Sequence, residues 1–291
     1  MNKKNIYYQH SGAIGPTAIL LSIIFGLIAS LFLGIIYGYI IYALPFIYAN
    51  FIIVGLYGFG VGSAVGIGAK FGKARNEKVL GFIAFLVGIL AFYFGWVSWL
   101  HAVTEQNVLN VDLVAVFSDL APSKVFSMAT SIAQKGAWGI FGWTPTGFSL
   151  YFIWGIEALM IIFLTVIAAT VSIDDPFCER CNNWIKQDSD ISPFSFIGDI
   201  DSYKSSIEKE GAEFVLNAKK QEEAESKFSE YKLFACNNCN SSQMLSVSNV
   251  EITLGSDNKE EFTKTEVIKY LLLNKEQFTS LKSPSSSDVI T

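Results

Sequence analysis

The chain has 291 residues, of which 51% are hydrophobic, and its two parts differ in charge. Residues 1–172 contain 8 Lys and Arg against 5 Asp and Glu, whereas residues 173–291 contain 13 against 21. Binding to the phosphates of nucleic acid requires a basic surface, so the acidic C-terminal part argues against nucleic acid as a partner.

Two membrane spans are predicted in the first quarter of the chain. The 65 residues from Asn5 to Ala69 include no Lys, Arg, Asp or Glu. As one helix they would extend about 98 Å, at about 1.5 Å per residue, whereas the hydrocarbon core of a bilayer is only about 30 Å thick. The stretch must therefore turn back, and Pro45 marks the turn because proline lacks a backbone donor and restricts the residue before it. We predict spans at 17–43 and 46–69.

Two further apolar stretches, at 79–101 and 147–171, exceed the roughly 20 residues needed to cross a bilayer. A soluble core would not accommodate four such stretches. Residues 1–172 are therefore predicted to form a four-helix transmembrane bundle, and the fold class is that of a mainly α membrane protein.

The basic residues predict the orientation of the spans. The short loop of residues 70–78 contains four Lys and Arg, two more precede the first span, and the hairpin between the first two spans contains none. Since basic loops remain on the cytoplasmic side, both termini are expected to be cytoplasmic, with the loop 102–146 outside. We expect a multi-pass protein of a bacterial cytoplasmic membrane, with membrane lipid as its surrounding partner.

Small residues recur every three or four positions in the first three spans, which places them on one face of each helix. Such faces allow close contact between helices in lipid, so the first three spans are predicted to form a tight core. A homo-oligomer contact or a glycine-lined pore remains an alternative use of the same faces. The fourth span, bulky at 159–164, is expected at the edge. The small residues are Ser22, Gly26, Ser30, Gly34 and Gly38; Gly58, Gly62 and Gly66; and Gly81, Ala84, Gly88, Ala91, Gly95 and Ser98.

The outer loop, residues 102–146, is predicted to contain two short amphipathic helices. Apolar residues fall on one face if 108–120 is helical, and Pro122 or Ser123 can begin a second helix that ends at Gly136. The loop would then cover the bundle or, alternatively, contribute to a substrate-binding surface.

Glu157 is the one acidic or basic residue well inside a predicted span. An unpaired carboxylate within a bilayer is costly, so Glu157 should be protonated, paired or in contact with water. His101, at the outer end of the third span, could reach Glu157 if the two helices are neighbours. The pair is a candidate intramembrane polar site for a proton or cation, and a purely structural role for Glu157 is the alternative.

All four cysteines lie in the C-terminal part, in two Cys-x2-Cys pairs: Cys178 with Cys181, and Cys236 with Cys239. Two such pairs supply the four thiolates that a tetrahedral structural zinc ion requires. Two half-sites shared between subunits would also satisfy this number. Thiol redox chemistry, as in membrane oxidoreductases that form disulfides, is a rival that a reducing cytoplasm disfavours.

The two pairs and their flanks resemble the zinc-ribbon family, in which each pair is held by a β-turn. The resemblance implies a small α+β cytoplasmic domain, at 173–282, with zinc as its structural cofactor. The pairs are separated by 54 residues, more than the roughly 20 of a compact ribbon, so 187–230 is predicted to be an insertion that is helical over 203–230.

The remainder of the C-terminal part is predicted from its apolar pattern. Residues 244–254 alternate as in a hairpin that turns near Ser248 and Asn249. Residues 264–281 have a helical pattern, and the serine-rich residues 283–291 are predicted to be disordered.

We do not expect an enzyme, because the sequence contains no Ser/His/Asp set, phosphate-binding loop or carboxylate pair. Our first hypothesis is a membrane-anchored scaffold or adaptor whose zinc-stabilised cytoplasmic domain binds a protein partner. The alternative is a small transporter or ion channel, or a subunit of one, that uses the glycine-rich bundle and Glu157.

Overall fold

The computed structural model describes residues 6–44, 47–105, 121–136, 139, 142–221, 226–239, 241–255 and 259–282. These residues belong to two compact units. The helical unit is Ser11–Asp174. The sheet unit combines the residues up to His10 with those from Asp175 onward. Residues 6–10, which the sequence groups with the first span, thus belong to the sheet unit.

The helical unit contains five described helices. Four of them, α1, α2, α3 and α5, are long and apolar enough to cross a membrane. The fourth helix in chain order, α4, is shorter and amphipathic. The helices are α1 (Pro16–Ala43), α2 (Ile47–Phe71), α3 (Glu77–Glu105), α4 (Pro122–Lys135) and α5 (Phe148–Val171).

Each of the four long helices packs against at least two others, and α2 and α3 also contact each other. Helix α1 contacts α2 and α3, and α5 contacts the same two helices. The expectation that the fourth span lies at the edge of the first three is therefore wrong. Its bulky residues do not prevent packing, because α2 offers glycines where the backbone of α5 approaches.

Glycines allow these contacts because a larger side chain would overlap the neighbouring backbone. A Cβ atom at Gly58 would lie 2.8 Å from the carbonyl oxygen of Ile161, and one at Gly62 only 2.3 Å from that of Thr165. A Cβ atom at Gly38, in α1, would lie 2.5 Å from the backbone nitrogen of Trp99. The predicted use of the small residues in helix packing within one chain is thus confirmed at these positions.

The loop between α2 and α3 forms hydrogen bonds with the segment before α1. The backbone N–H of Arg75 donates to the carbonyl of Ala13 (2.8 Å), and the side-chain amide of Asn76 donates to that of Gly12 (2.9 Å). Asn76 also caps α3, since its side-chain oxygen accepts from the N–H of Val79 (3.0 Å). This basic loop therefore lies at the same end of the unit as the start of α1.

Helix α4 packs against the other end of α3 and the start of α5. It begins at Pro122, as predicted, and buries Val125, Ala129 and Ala133 against the tryptophans of those helices. Phe126, next to Val125 in the same helix, is 73% exposed. The predicted helix at 108–120 lies outside the described residues.

The sheet unit is built around a four-stranded antiparallel sheet of order β3-β4-β5-β6, with a separate hairpin of β1 and β2. Helices α6, α7 and α8 contribute Ile207, Val215 and Phe278 to its core. The elements are β1 (Phe177–Cys178), β2 (Asn183–Trp184), β3 (Lys186–Asp190), α6 (Ile200–Glu210), α7 (Glu213–Leu216), β4 (Lys227–Ala235), β5 (Gln243–Leu254), β6 (Glu260–Leu273) and α8 (Lys275–Lys282).

The predicted helix at 264–281 is wrong for its first ten residues, which belong to β6. The register of β6 against β5 shifts on either side of Val247, and Tyr270 has a positive φ of 52°. The irregular strand buries Val267, Ile268 and Leu271. Buried positions spaced by one and three residues imitate helical periodicity, which explains the error.

The predicted hairpin at 244–254 is also wrong, because β5 continues through Ser248 and Asn249. Asn249 is 3% exposed, and both the oxygen and the nitrogen of its side-chain amide form hydrogen bonds. It accepts from the hydroxyl of Ser229 (2.7 Å) and donates to the carbonyl of Ile197 (2.8 Å). This residue therefore fixes the inserted segment on the sheet rather than forming a turn.

The helical prediction for 203–230 holds only in part. Helix α6 begins earlier than predicted, where Asp199 accepts from the N–H of Ser202 (2.9 Å), and ends at Gly211 with φ of 77°. After the single turn of α7 the chain returns to the sheet as β4. The glycine, which adopts positive φ readily, accounts for the early end.

The glycine contacts can be tested with two alanine variants of α2. We expect Gly62→Ala to lower stability by about 1–3 kcal/mol, because the added methyl group meets the α5 backbone. At Gly55 the nearest atom would be 3.7 Å away, and alanine favours a helix by up to about 1 kcal/mol over glycine. Gly55→Ala should thus be neutral or stabilising. The check is the thermal unfolding midpoint in detergent, and equal midpoints for the two variants would contradict this packing.

Candidate metal centre and buried carboxylate

The two cysteine pairs lie next to each other because the strands beside them pair. Strand β3 begins five residues after Cys181, and β4 ends immediately before Cys236. Lys186 lies opposite Ala235 in the antiparallel register of these strands. The inserted segment leaves at the far end of β3 and returns at the far end of β4, so its length does not separate the pairs.

The four sulfur atoms form a cluster. All four Sγ atoms lie within 4.8 Å of one another, and those of Cys178 and Cys239 are 3.5 Å apart. The four cysteines are not joined in disulfides. A tetrahedral ion with metal–sulfur bonds of about 2.3 Å places its sulfurs about 3.8 Å apart. The cluster could therefore hold a metal ion.

Hydrogen bonds around the cluster affect the thiols unequally. The hydroxyl of Ser241 lies 2.8 Å from Cys239 Sγ, and hydrogen bonding from Ser241 lowers the pKa of the Cys239 thiol to about 6. Hydrogen bonding to Cys239 in turn raises the pKa of the Cys181 thiol to about 12. Thiols this close oppose each other's ionisation, and a bound cation removes that opposition.

The N-terminal segment supports the first cysteine pair. Residues 6–8 pair with β6, where the N–H of Tyr8 donates to the carbonyl of Tyr270 (2.9 Å). The Tyr8 hydroxyl accepts from the N–H of Phe177 (3.0 Å), next to Cys178. Phe177 meets Trp184 edge to face at 5.1 Å, across the hairpin that carries the first pair. Nothing in the sequence pattern of residues 6–8 indicated this role.

Glu157 lines a cavity of about 50 Å³ within the helical unit. Its Oε1 accepts a hydrogen bond from the Tyr37 hydroxyl. The Tyr37 ring stacks on Tyr57 at 4.8 Å, and the Tyr57 hydroxyl donates to the carbonyl of Ala91 (2.7 Å). The carboxylate is therefore held by Tyr37 of α1. Tyr57 of α2 supports the Tyr37 ring and is itself fixed by its hydrogen bond to α3.

The structure does not bring the two residues of the predicted polar site into one cavity. His101, 2% exposed in α3, is not among the residues that line the cavity of Glu157. The hydrogen bond described for Glu157 comes from Tyr37 instead. Tyr37 was missed because tyrosines near helix ends are common, and only the helix packing shows which of them faces the carboxylate.

Comparisons of the chain with protein-family models, with curated proteins and with solved structures found no match. The resemblance to zinc ribbons is limited to the two cysteine pairs and the strands beside them. The metal centre, the surface of the sheet unit and the carboxylate cavity are therefore the features that bear on function.

The contribution of the Tyr37–Glu157 hydrogen bond can be measured. We expect Tyr37→Phe to lower the stability of the helical unit by about 1 kcal/mol, because the carboxyl loses its donor within an apolar environment. Tyr151→Phe is the control, since the Tyr151 side chain is 44% exposed. Unfolding in detergent mixtures would measure the free energy of unfolding of both variants. Equal losses of stability would show that the Tyr37–Glu157 hydrogen bond does not stabilise the unit.

Proposed function

We propose that this chain is a membrane-anchored adaptor, in which four helices cross the bilayer and the sheet unit binds a protein partner. The observation that carries the proposal is the cluster of four sulfur atoms. Four thiolates occupy every position of a tetrahedral ion, whereas a catalytic metal keeps one position open for water or substrate. The metal would thus stabilise the sheet unit, and the function of that unit would depend on its surface.

Zinc is the ion we propose for this centre. Soft thiolate ligands in a tetrahedral set favour zinc or an iron–sulfur cluster among common metals. Sulfurs within 4.8 Å suit a single ion better than a larger cluster. Because metal-free thiols this close oppose each other's ionisation, zinc binding would couple directly to folding of the unit.

The basic loop supports a cytoplasmic sheet unit. Residues 70–78 lie at the same end of the helical unit as residues 11–13, as their hydrogen bonds show. Ser172 lies there too, because a Cβ at Gly66 would meet its side chain. Both connections to the sheet unit therefore leave from the basic end, which membrane insertion retains in the cytoplasm.

The far half of the β5–β6 hairpin is the surface we propose for the partner. Ile252 lies opposite Phe262, so their side chains share one face, and Leu254 follows on that face. Leu254 is 72% and Phe262 57% exposed, while Val250, two residues before Ile252, is buried. We call Ile252, Leu254 and Phe262 the hairpin patch. An exposed apolar surface continuous with a buried one is typical of protein contacts.

The charge of the sheet unit indicates what kind of partner would fit. Residues 173–291 contain 21 acidic and 13 basic residues, and Glu260 lies opposite Leu254 of the hairpin patch. A protein with an apolar site bordered by basic residues would complement this surface.

A small transporter or ion channel is the second candidate function, and the carboxylate cavity favours it. The glycine faces that could line a pore contact neighbouring helices at the positions given above. Any transport would therefore use the cavity at Glu157 rather than a glycine-lined channel.

The metal centre predicts a defined zinc content. We expect the full chain, purified in detergent, to contain one zinc per chain and Cys236→Ser to contain almost none, because three thiolates bind the ion far more weakly. Ser241→Ala, which keeps all four thiolates, should retain the zinc. Elemental analysis by mass spectrometry measures this, and limited proteolysis should show a less stable sheet unit in Cys236→Ser.

Two results would contradict this assignment. Iron in place of zinc would replace the proposed ion, and wild-type protein without metal but with oxidised cysteines would favour the thiol redox alternative.

The adaptor role predicts a partner that depends on the hairpin patch. Affinity purification from native membranes, followed by mass spectrometry, should recover a stoichiometric protein with the wild type. We expect this protein to be lost with Phe262→Ser, which removes the largest apolar group of the patch. It should be retained with Glu261→Gln, because Glu261 lies opposite Thr253 on the other face of the hairpin. Recovery of the same proteins with both variants would contradict the proposed surface.

A further inference from the structure

The cavity at Glu157 combines one carboxylate with aromatic walls. Three tryptophans line it, Trp96 and Trp99 from α3 and Trp154 from α5. Each is at most 8% exposed. Asn50 and Tyr37 provide the polar groups beside Glu157, and the remaining lining residues named for the cavity are apolar: Ile41, Phe51, Val54, Ile153 and Met160.

The three indole rings form a close cluster. The centroids of Trp96 and Trp154 are 4.6 Å apart with planes at 84°, and Trp99 lies 5.7 Å from Trp96 and 6.2 Å from Trp154. The faces of indole rings carry negative potential and attract cations, most strongly where water is excluded.

We propose that this cavity is a binding site for a small ammonium cation. The Glu157 carboxylate supplies the opposite charge, and the indole rings supply the cation–π surface. The N–H groups of an ammonium ion can donate to the carboxylate and to the side-chain oxygen of Asn50. This chemistry uses the charged, polar and aromatic groups that line the cavity.

The composition of the walls disfavours a metal ion. Calcium takes six to eight oxygen ligands and magnesium an octahedral set, whereas the polar lining here comes from Glu157, Asn50 and Tyr37. The walls are otherwise aromatic or aliphatic, and such surfaces compensate poorly for the hydration that a metal ion would lose.

The chemistry of the cavity limits the ligand. About 50 Å³ of it is open to the centre of a water-sized sphere, so ammonium and methylammonium fit. A quaternary ion with four methyl groups suits the site poorly, because it has no N–H group to donate to Glu157 or Asn50. The same primary ammonium chemistry occurs in the headgroup of ethanolamine lipids, which are a second source of the ligand.

Tyr37 acts in this site as a positioning residue. Its hydroxyl donates to Oε1 of Glu157, and its ring is fixed by stacking on Tyr57. A carboxylate has about four acceptor positions, so a single hydrogen bond from Tyr37 leaves capacity for the ligand. The site lies within the helical unit and does not depend on the adaptor role of the sheet unit.

Tryptophan fluorescence provides the test, because three of the five tryptophans that the structure describes line the cavity. The full chain in phosphatidylcholine nanodiscs would be titrated with ammonium chloride and methylammonium chloride. We expect a saturable change in emission with both. Potassium chloride and tetramethylammonium chloride at the same ionic strength should give no saturable change. Saturation with potassium, or no saturation with either ammonium salt, would overturn the proposal.

Two variants test whether the cation binds at Glu157. Glu157→Gln, which keeps the shape of the side chain, should weaken methylammonium binding at least tenfold, while Trp143→Phe, outside the cavity lining, should bind as the wild type does. Unchanged affinity in Glu157→Gln would overturn the proposal. A wild-type measurement applies if Glu157→Gln fails to fold. Methylammonium should protect Glu157 from modification by a hydrophobic carbodiimide. Peptide mass spectrometry would measure the fraction of unmodified Glu157, so that the amide formed when methylamine captures the activated carboxyl counts as modification. Absence of protection would also overturn it.

Nanodiscs that contain phosphatidylethanolamine distinguish the two sources of the ammonium group. Loss of the methylammonium response in these discs would assign the site to the lipid headgroup. An unchanged response would assign it to the dissolved ion. In both cases recognition of an ammonium group by the cavity is retained.

Discussion

The helices of the helical unit approach so closely that their backbones touch, and this distance determines what the unit can enclose. A Cβ atom at Gly38 or Gly62 would fall within 2.5 Å of backbone atoms of the neighbouring helix. Because α2 and α3 each contact both α1 and α5, the side chains of α1 and α5 can meet between them. The hydrogen bond from Tyr37 to Glu157 crosses this interior. Close helix packing at the glycines thus allows the carboxylate cavity to form, although the described lining residues of the cavity include no glycine.

The sheet unit depends in the same way on one pairing, that of β3 with β4. Their antiparallel register brings together two cysteine pairs that are far apart in sequence. Since the insertion leaves at the far end of β3 and returns at the far end of β4, its described residues 191–221 extend the core without disturbing the cluster of sulfurs. Asn249 joins the insertion to the sheet through both ends of its side-chain amide.

The sequence was most informative where the physical signal was local. Uncharged length, Pro45 and the spacing of the cysteines were sufficient for the four apolar helices and for a cluster that could bind a metal. It failed where long-range contacts decided the outcome. Val267, Ile268 and Leu271 have helical spacing but lie in an irregular strand, and Ser248 with Asn249 resembles a turn but lies inside β5. The partner of Glu157 depends on which faces of α1 and α5 meet, and a periodic pattern within one helix does not contain that information.

Residues 6–8 form hydrogen bonds with β6, more than 260 residues later. The helical unit is thus inserted within the sheet unit, and residues 6–8 can pair only after β6 has been synthesised. The sheet unit can be completed only after all four apolar helices have left the ribosome. Under the proposal that the four apolar helices cross a bilayer, their even number places both ends of the helical unit on one side, as the sheet requires. A chain that inserted with one helix missing would then place Tyr8 and Tyr270 on opposite sides, so the sheet would form only after correct membrane insertion.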